Sequence, residues 1–409
     1  MEIVRLTSVY IILLFLSAFM IFPAVLVAGG PPVPASEVEK TDTTWYVPVR
    51  LVSLINKDDQ GKPLHFPSTL FSDPVMSEIY VVTGGESRII IYGDNFFPLV
   101  SLGKGRGVDT PRGLHVDSDG RLFICQGDSV KSQPRLTILN GSLFKQQEIF
   151  MSDIPGAENF IPYRITSGRN GTLYLAGLNY RGILILDKNG IFIRWLKPED
   201  KIWTAPTGEE SEFTMETMKK SLEGSPDRVQ EIPSENLEED LAAKIIDLPP
   251  ELTPEIGRII DGEDDTVSIG PVQISDLTTD SDGHLYLLSE ETGKVYVYGA
   301  DDELLFSFGK KGGSAGKLSR PRGLALDEKK RCVYVVDYMR HTILVYDLSG
   351  RFLFEFGGMG TAPRWFNFPT DITVDAQGRV IVADLFNQRV QVLELEFPPS
   401  YPLFAPSSK

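Results

Sequence analysis

Cysteine and histidine are scarce in this sequence of 409 residues, which has two Cys, Cys125 and Cys332, and four His. Two cysteines exclude the disulfide framework of a small secreted scaffold and a Cys-rich zinc site, and read instead as buried small apolar residues. Four scattered histidines exclude a His-rich metal centre. Basic residues are also in deficit: 40 Lys and Arg stand against 56 Asp and Glu, a formal charge of −16, which excludes the basic surface that nucleic-acid binding needs. Long uncharged apolar runs are confined to Leu6–Ala28. No nucleophile motif is present, and Gly103-Lys104-Gly105-Arg106-Gly107 does not open a helix as a phosphate-binding loop must.

The apolar run follows Arg5 and the α-amino group, the arrangement of an export signal or of an N-terminal membrane anchor. Cleavage after Leu26-Val27-Ala28 would leave a small residue before the break, and the run is also close to the ~20 residues that span a bilayer. Both readings place the remainder outside the cytoplasm, periplasmic or at the cell surface, with the membrane touched only through residues 1–28. No Cys follows Ala28 for lipid attachment, and residues 29–44 read as a Pro-rich tether.

What the sequence has in abundance is internal repetition. PRGLALD from Pro321 and PRGLHVD from Pro111 are two copies of one phrase, and looser copies begin at Pro67, Pro162, Ile274 and Pro369, which makes six units. Each phrase is followed by a short apolar strand such as Leu122-Phe123-Ile124-Cys125 or Val333-Tyr334-Val335-Val336, then by an alternating one such as Lys294-Val295-Tyr296-Val297-Tyr298. A fourth strand such as Phe352-Leu353-Phe354-Glu355-Phe356-Gly357 completes most units. The last unit lacks its fourth strand, and Val47–Ile55 carries the missing pattern. The expected fold is all-β: a six-bladed β-propeller of four-stranded blades over residues 45–396, closed by an N-terminal strand joining the last blade, with a tail at 397–409.

The phrase P-R-G-L-x-x-D, the strands ending in Asp337 and Asp384, and N-x-R-V-x-V from Asn387 to Val392 resemble the NHL-repeat family of six-bladed β-propellers, in its exported bacterial form. The likeness is strongest in the last two units. It implies a binding or assembly module, since such propellers host binding, scaffolding and several enzymes.

Residues 198–268 fit no blade. From Pro198 to Thr266 there are 20 acidic and 6 basic residues, a net of −14, so the acidity of the chain belongs to this segment. Met215, Met218 and Leu222, and then Leu237, Leu241 and Ile245, have helical spacing and predict a small acidic helical insertion between blades 3 and 4; a solvated linker is the other reading. As a connection between the last strand of one blade and the first of the next, it emerges on the face that carries the loops between second and third strands.

Positions two and three of the phrase gather charge at one mouth of the channel: Arg112, Arg164, Asp276, Arg322 and Asp371, with His115 two positions further along its strand than Gly113. These are the candidate binding residues for a polar or anionic group, or a set of charges that pair to fix the blades. Asp337 and Asp384 read as turn caps, and Asp117-Ser118-Asp119-Gly120 and Asp280-Ser281-Asp282-Gly283 as hairpin turns, not as calcium loops. No catalytic residue, metal site or cofactor is assigned. The expected function is a protein-binding or assembly scaffold of the cell envelope, with a basic or haem-carrying partner suited to the acidic insertion. The alternative is a metal-dependent hydrolase of the lactonase-like propeller type, for which only Asp276 and Asp371 are placed to act.

Overall fold

The computed structural model describes residues 47–127, 132–203, 267–398 and 401. Strand β1 (Val49–Ile55) comes first. Blade 1 follows as β2 (Pro67–Asp73), β3 (Glu78–Thr83), β4 (Arg88–Tyr92) and β5 (Pro98–Leu102), and blade 2 as β6 (Pro111–Val116), β7 (Leu122–Gln126), β8 (Arg135–Leu139) and β9 (Lys145–Phe150). Blade 3 is β10 (Pro162–Ser167), β11 (Leu173–Gly177), β12 (Ile183–Leu186) and β13 (Phe192–Leu196). A two-stranded ribbon, β14 (Glu199–Trp203) with β15 (Val267–Pro271), precedes blade 4, which is β16 (Asp276–Thr279), β17 (Leu285–Ser289), β18 (Lys294–Tyr298) and β19 (Leu304–Phe308). Blade 5 is β20 (Pro321–Asp327), β21 (Cys332–Asp337), β22 (Thr342–Asp347) and β23 (Phe352–Gly357). Blade 6 is β24 (Pro369–Val374), β25 (Val380–Asp384) and β26 (Arg389–Leu395), with β1 antiparallel to β26 in the fourth place.

The first strands of the blades, termed a, contact one another in ring order β2, β6, β10, β16, β20, β24 and back to β2. Six apolar clusters lie between successive blades. Strand alternation divides each second strand, b, between two of them: Tyr80 and Val82 of β3 pack toward blade 2, Ile79 and Val81 toward blade 6. That is why the b strands read as unbroken apolar runs: both faces are covered. Each fully buried Val, Leu or Ile contributes about 1.5–3 kcal/mol. Cys125 and Cys332 are free thiols buried in two different clusters. Beyond β26, Phe397 and Tyr401 pack on the blade 5–6 cluster, so the start of the expected tail is part of the core.

The ends of the 198–268 segment differ from the helical expectation. Glu199–Trp203 and Val267–Pro271 pair in antiparallel register, Trp203 opposite Val267. Asp200 anchors this ribbon to blade 4, accepting from Lys294 Nζ at 2.7 Å and Tyr296 OH at 2.6 Å. The helical spacings at Met215–Leu222 and Leu237–Ile245 lie outside the described residues, as does the apolar segment Leu6–Ala28.

Candidate functional site

The repeated phrase acquires its geometry from a β-bulge. In blades 1, 2, 3, 5 and 6 the register between strands a and b shifts across position two of the phrase, for example between Pro111 and Gly113 or Pro369 and Asp371. Position three then stands where each blade meets the next around the axis, and four devices serve the six junctions. Thr69 Oγ1 donates to Arg112 O at 2.6 Å, from blade 1 to 2. Gly113 lets Tyr163 of blade 3 approach so closely that a Cβ would lie 2.2 Å from Tyr163 O. Arg164 reaches Asp276 of blade 4, Nε to Oδ1 3.5 Å. Asp276 Oδ2 accepts from Leu324 N of blade 5 at 2.7 Å. A Cβ on Gly323 would lie 2.8 Å from the Cα of Asp371 in blade 6. Asp371 Oδ2 accepts from Leu70 N of blade 1 at 2.7 Å.

Three of the six sequence candidates therefore meet at the axis. Arg164 Nη1 donates to Asp371 Oδ2 at 2.7 Å, and all three side chains are buried. One guanidinium faces two carboxylates. Burial raises the pKa of both Asp276 and Asp371 above the ordinary carboxylate value; Arg164 offsets part of this rise in each. Arg164 is held charged: burial works against the charge, and Asp371 overrides it. Both carboxylates are committed to Arg164 and to backbone N–H groups, and among the described residues no group of three acids, His or Cys is placed to hold a metal.

A cavity of about 590 Å³ runs from this triad to the a–b turns at the opposite face, near Val75, Ser118 and Ser281. His115 lines it, with Nε2 2.7 Å from Ser167 Oγ and its ring edge-on to Phe71 at 5.0 Å. Burial pushes the pKa of His115 down to about 4, so it is neutral at physiological pH.

The other two candidates stay apart from the triad, so the charges do not converge as one binding set. Arg112 lies across Gly127, whose Cβ, if present, would meet Arg112 Nε at 2.3 Å. Arg322 lies at the face carrying the b–c loops, its guanidinium 4.3 Å above the Tyr338 ring and its Nε 3.4 Å from Glu290 Oε2. There it borders a cavity of about 430 Å³ together with Lys311, Arg320, Glu290 and Glu291. Glu290 is held by Arg320 Nε at 2.7 Å, and burial lowers the pKa of Lys311.

Sequence reasoning missed the aromatic residues of this face. Tyr338, Phe368, Phe386 and Phe66 form a line of rings across blades 5, 6 and 1, extending away from Arg322. The available signal was a Phe-Pro step opening two of the phrases, at Phe66-Pro67 and Phe368-Pro369. Both phenylalanines have left-handed backbones, φ 49° and 54°, uncommon for bulky residues.

Asp337 and Asp384, at the ends of their strands, serve the turns, as expected. Asp337 accepts from Ser319 N at 2.6 Å and Arg340 N at 3.1 Å. Asp384 accepts from Asn367 N at 2.7 Å and Arg389 Nε at 2.8 Å. Asp117 and Asp280 each cap their own hairpin, accepting from Arg121 N and His284 N.

Among known families, the model described as NHL repeat matches residues 366–393. NHL repeat-containing protein 2 of Gallus gallus is 33 % identical over 122 residues, 27 % of this chain and 17 % of that protein. NHL repeat-containing protein 3 of Homo sapiens is 32 % identical over 106 residues, 25 % of this chain and 30 % of that protein. The chain thus spans less than a third of the length of these curated relatives. Of solved structures, a structural-genomics protein of unknown function from Bacteroides thetaiotaomicron is similar at TM-score 0.53 and 12 % identity, over 85 % of this chain and 76 % of that one, a likeness of fold.

Proposed function

We propose that this chain, an NHL-repeat β-propeller, is an exported protein-binding scaffold of the cell envelope that engages its partner on the b–c face. The observation that carries this reading is the composition of that face. An arginine-bordered cavity adjoins a line of aromatic rings, and Arg, Tyr and Phe are the residues that anchor protein interfaces. On this reading β1, hydrogen-bonded to β26, is the clasp that closes the ring. The stretch after Trp203 is acidic, and its net charge favours a basic or haem-carrying partner. Arg112 and Arg322 contribute to the partner surface, whereas Arg164, Asp276 and Asp371 fix the blades and His115 belongs to the channel wall. The hydrolase alternative has no comparable support, because its two acids are tied to Arg164.

The experiment is affinity capture from envelope extract with three full-length proteins: the natural chain, the double variant Arg322→Ala/Phe386→Ala, and Met76→Ala at an exposed a–b turn on the opposite face. The expected result is loss of captured partner with the double variant alone. The same captured set from all three overturns the assignment to this face.

A further inference from the structure

The line of rings has a length and a charged end, and these select what it binds. Tyr338 and Phe368 are 4.7 Å apart between centroids, Phe368 and Phe386 5.3 Å, Phe386 and Phe66 6.2 Å. The last two pairs are edge-to-face, at 79° and 85°, so ring faces alternate with notches. Phe66 and Phe386 are 38 % and 48 % exposed. Phe66 and Phe368 hold their rings at this mouth on left-handed backbones, φ 49° and 54°, uncommon for bulky residues. At the Tyr338 end stands Arg322, 35 % exposed, its Nε 3.4 Å from Glu290; Arg320, Lys311 and Glu291 border the same cavity, where the three basic side chains outnumber the two acidic ones.

The face is made of loops between second and third strands and of connections between blades, with no strand edge among its described residues, so a ligand cannot add there as a further strand. The rings touch one after another, which offers successive contacts to an extended ligand. A polyproline II segment suits it: its backbone needs no partner strand, its ring C–H groups stack on aromatic faces, and it loses little entropy on docking. The spacings accommodate about five residues at 3.1 Å rise. Arg322, whose contact with Glu290 is long at 3.4 Å and whose side chain is 35 % exposed, can take a carboxylate beside the prolines.

We infer that the Tyr338–Phe368–Phe386–Phe66 line binds an extended proline-rich segment of a partner protein, with an acidic side chain of that segment on Arg322. This rests on the scaffold reading and names the chemistry that the scaffold recognises.

The test is an anisotropy titration of the full-length protein with a labelled peptide of five prolines followed by two glutamates. The expected result is saturable binding, at least about tenfold tighter than for the same peptide with alanines in place of the prolines. Phe386→Ala should weaken it about tenfold. Arg322→Gln should weaken the glutamate peptide and leave unchanged the weaker binding of one ending in two serines, whereas Met76→Ala should match the natural protein. Absence of saturable binding, equal affinity for the proline and alanine peptides, or indifference to Phe386→Ala overturns the inference. If the peptide fails while the double variant still abolishes partner capture, the scaffold reading stands and this inference alone falls.

Discussion

A methyl group on Gly113 would press into the carbonyl of Tyr163, and backbone there has no room to yield. Gly113→Ala is therefore expected to lower unfolding free energy by about 3 kcal/mol, whereas Gly105→Ala, with nothing near its would-be Cβ, should stay within about 0.5 kcal/mol in the same denaturant titration. The axial triad makes a second prediction. Asp276 holds its proton above its ordinary pKa of 3.8 in the folded state, so between that value and its raised one the folded chain binds more protons than the unfolded, and stability is lost as pH rises. His115, pushed down to about 4 from 6.5, acts oppositely: its contribution is lost as pH falls below 6.5. Asp276→Asn removes that carboxylate's share of the first effect, so its stability should rise with pH between about 4 and 6.5 more steeply than the natural protein's, by up to about 1.4 kcal/mol per pH unit. Chemical denaturation across that range checks this, and parallel slopes would count against the raised carboxylate. Comparing repeat copies was enough to single out Asp371 where Gly113 and Gly323 stand. Its partner Arg164 is 207 positions away, and no local pattern encodes that meeting.

At the scale of elements, the strands were legible because their alternation repeats. Each b strand is apolar on both faces and each phrase marks a first strand, so blade positions followed from counting. The ribbon was not legible: β14 and β15 are five residues each at the ends of a segment whose composition is acidic and whose inner spacings are helical. They pair in register, Glu199 opposite Pro271 through Trp203 opposite Val267, sixty-odd residues on. Strand β1 carries a prediction of its own. Its Ile55 is 2 % exposed in the cluster between blades 6 and 1, while Val49 and Leu51 pack on the neighbouring cluster. Deleting Val49–Ile55 uncovers those residues and leaves β26 without its outer neighbour. Loss on the order of 4 kcal/mol or more is expected in thermal unfolding, with concentration-dependent association by light scattering from the bared edge.

For the whole molecule, charge and fold are separable. Residues 204–266 hold 18 acidic and 5 basic side chains, −13 of the total −16. Because Trp203 and Val267 face each other at the head of the ribbon, joining them through an Asn-Gly turn should leave the propeller intact. The expected outcome is an unchanged β-sheet circular dichroism spectrum and a melting temperature within about 4 °C, together with much weaker retention on an anion exchanger. Collapse of the spectrum would show the segment to be part of the folding unit. The number of blades and their strand order could be read from the residues alone, because these depend on local alternation and a phrase written six times. What the charged phrase positions do depends on how the blades meet around the axis. Closing the ring brings Arg164 between Asp276 and Asp371 and draws Phe66 from the first blade beside Phe386 from the last. Contacts across a closed ring depend on the summed geometry of every blade, which no single stretch of residues carries.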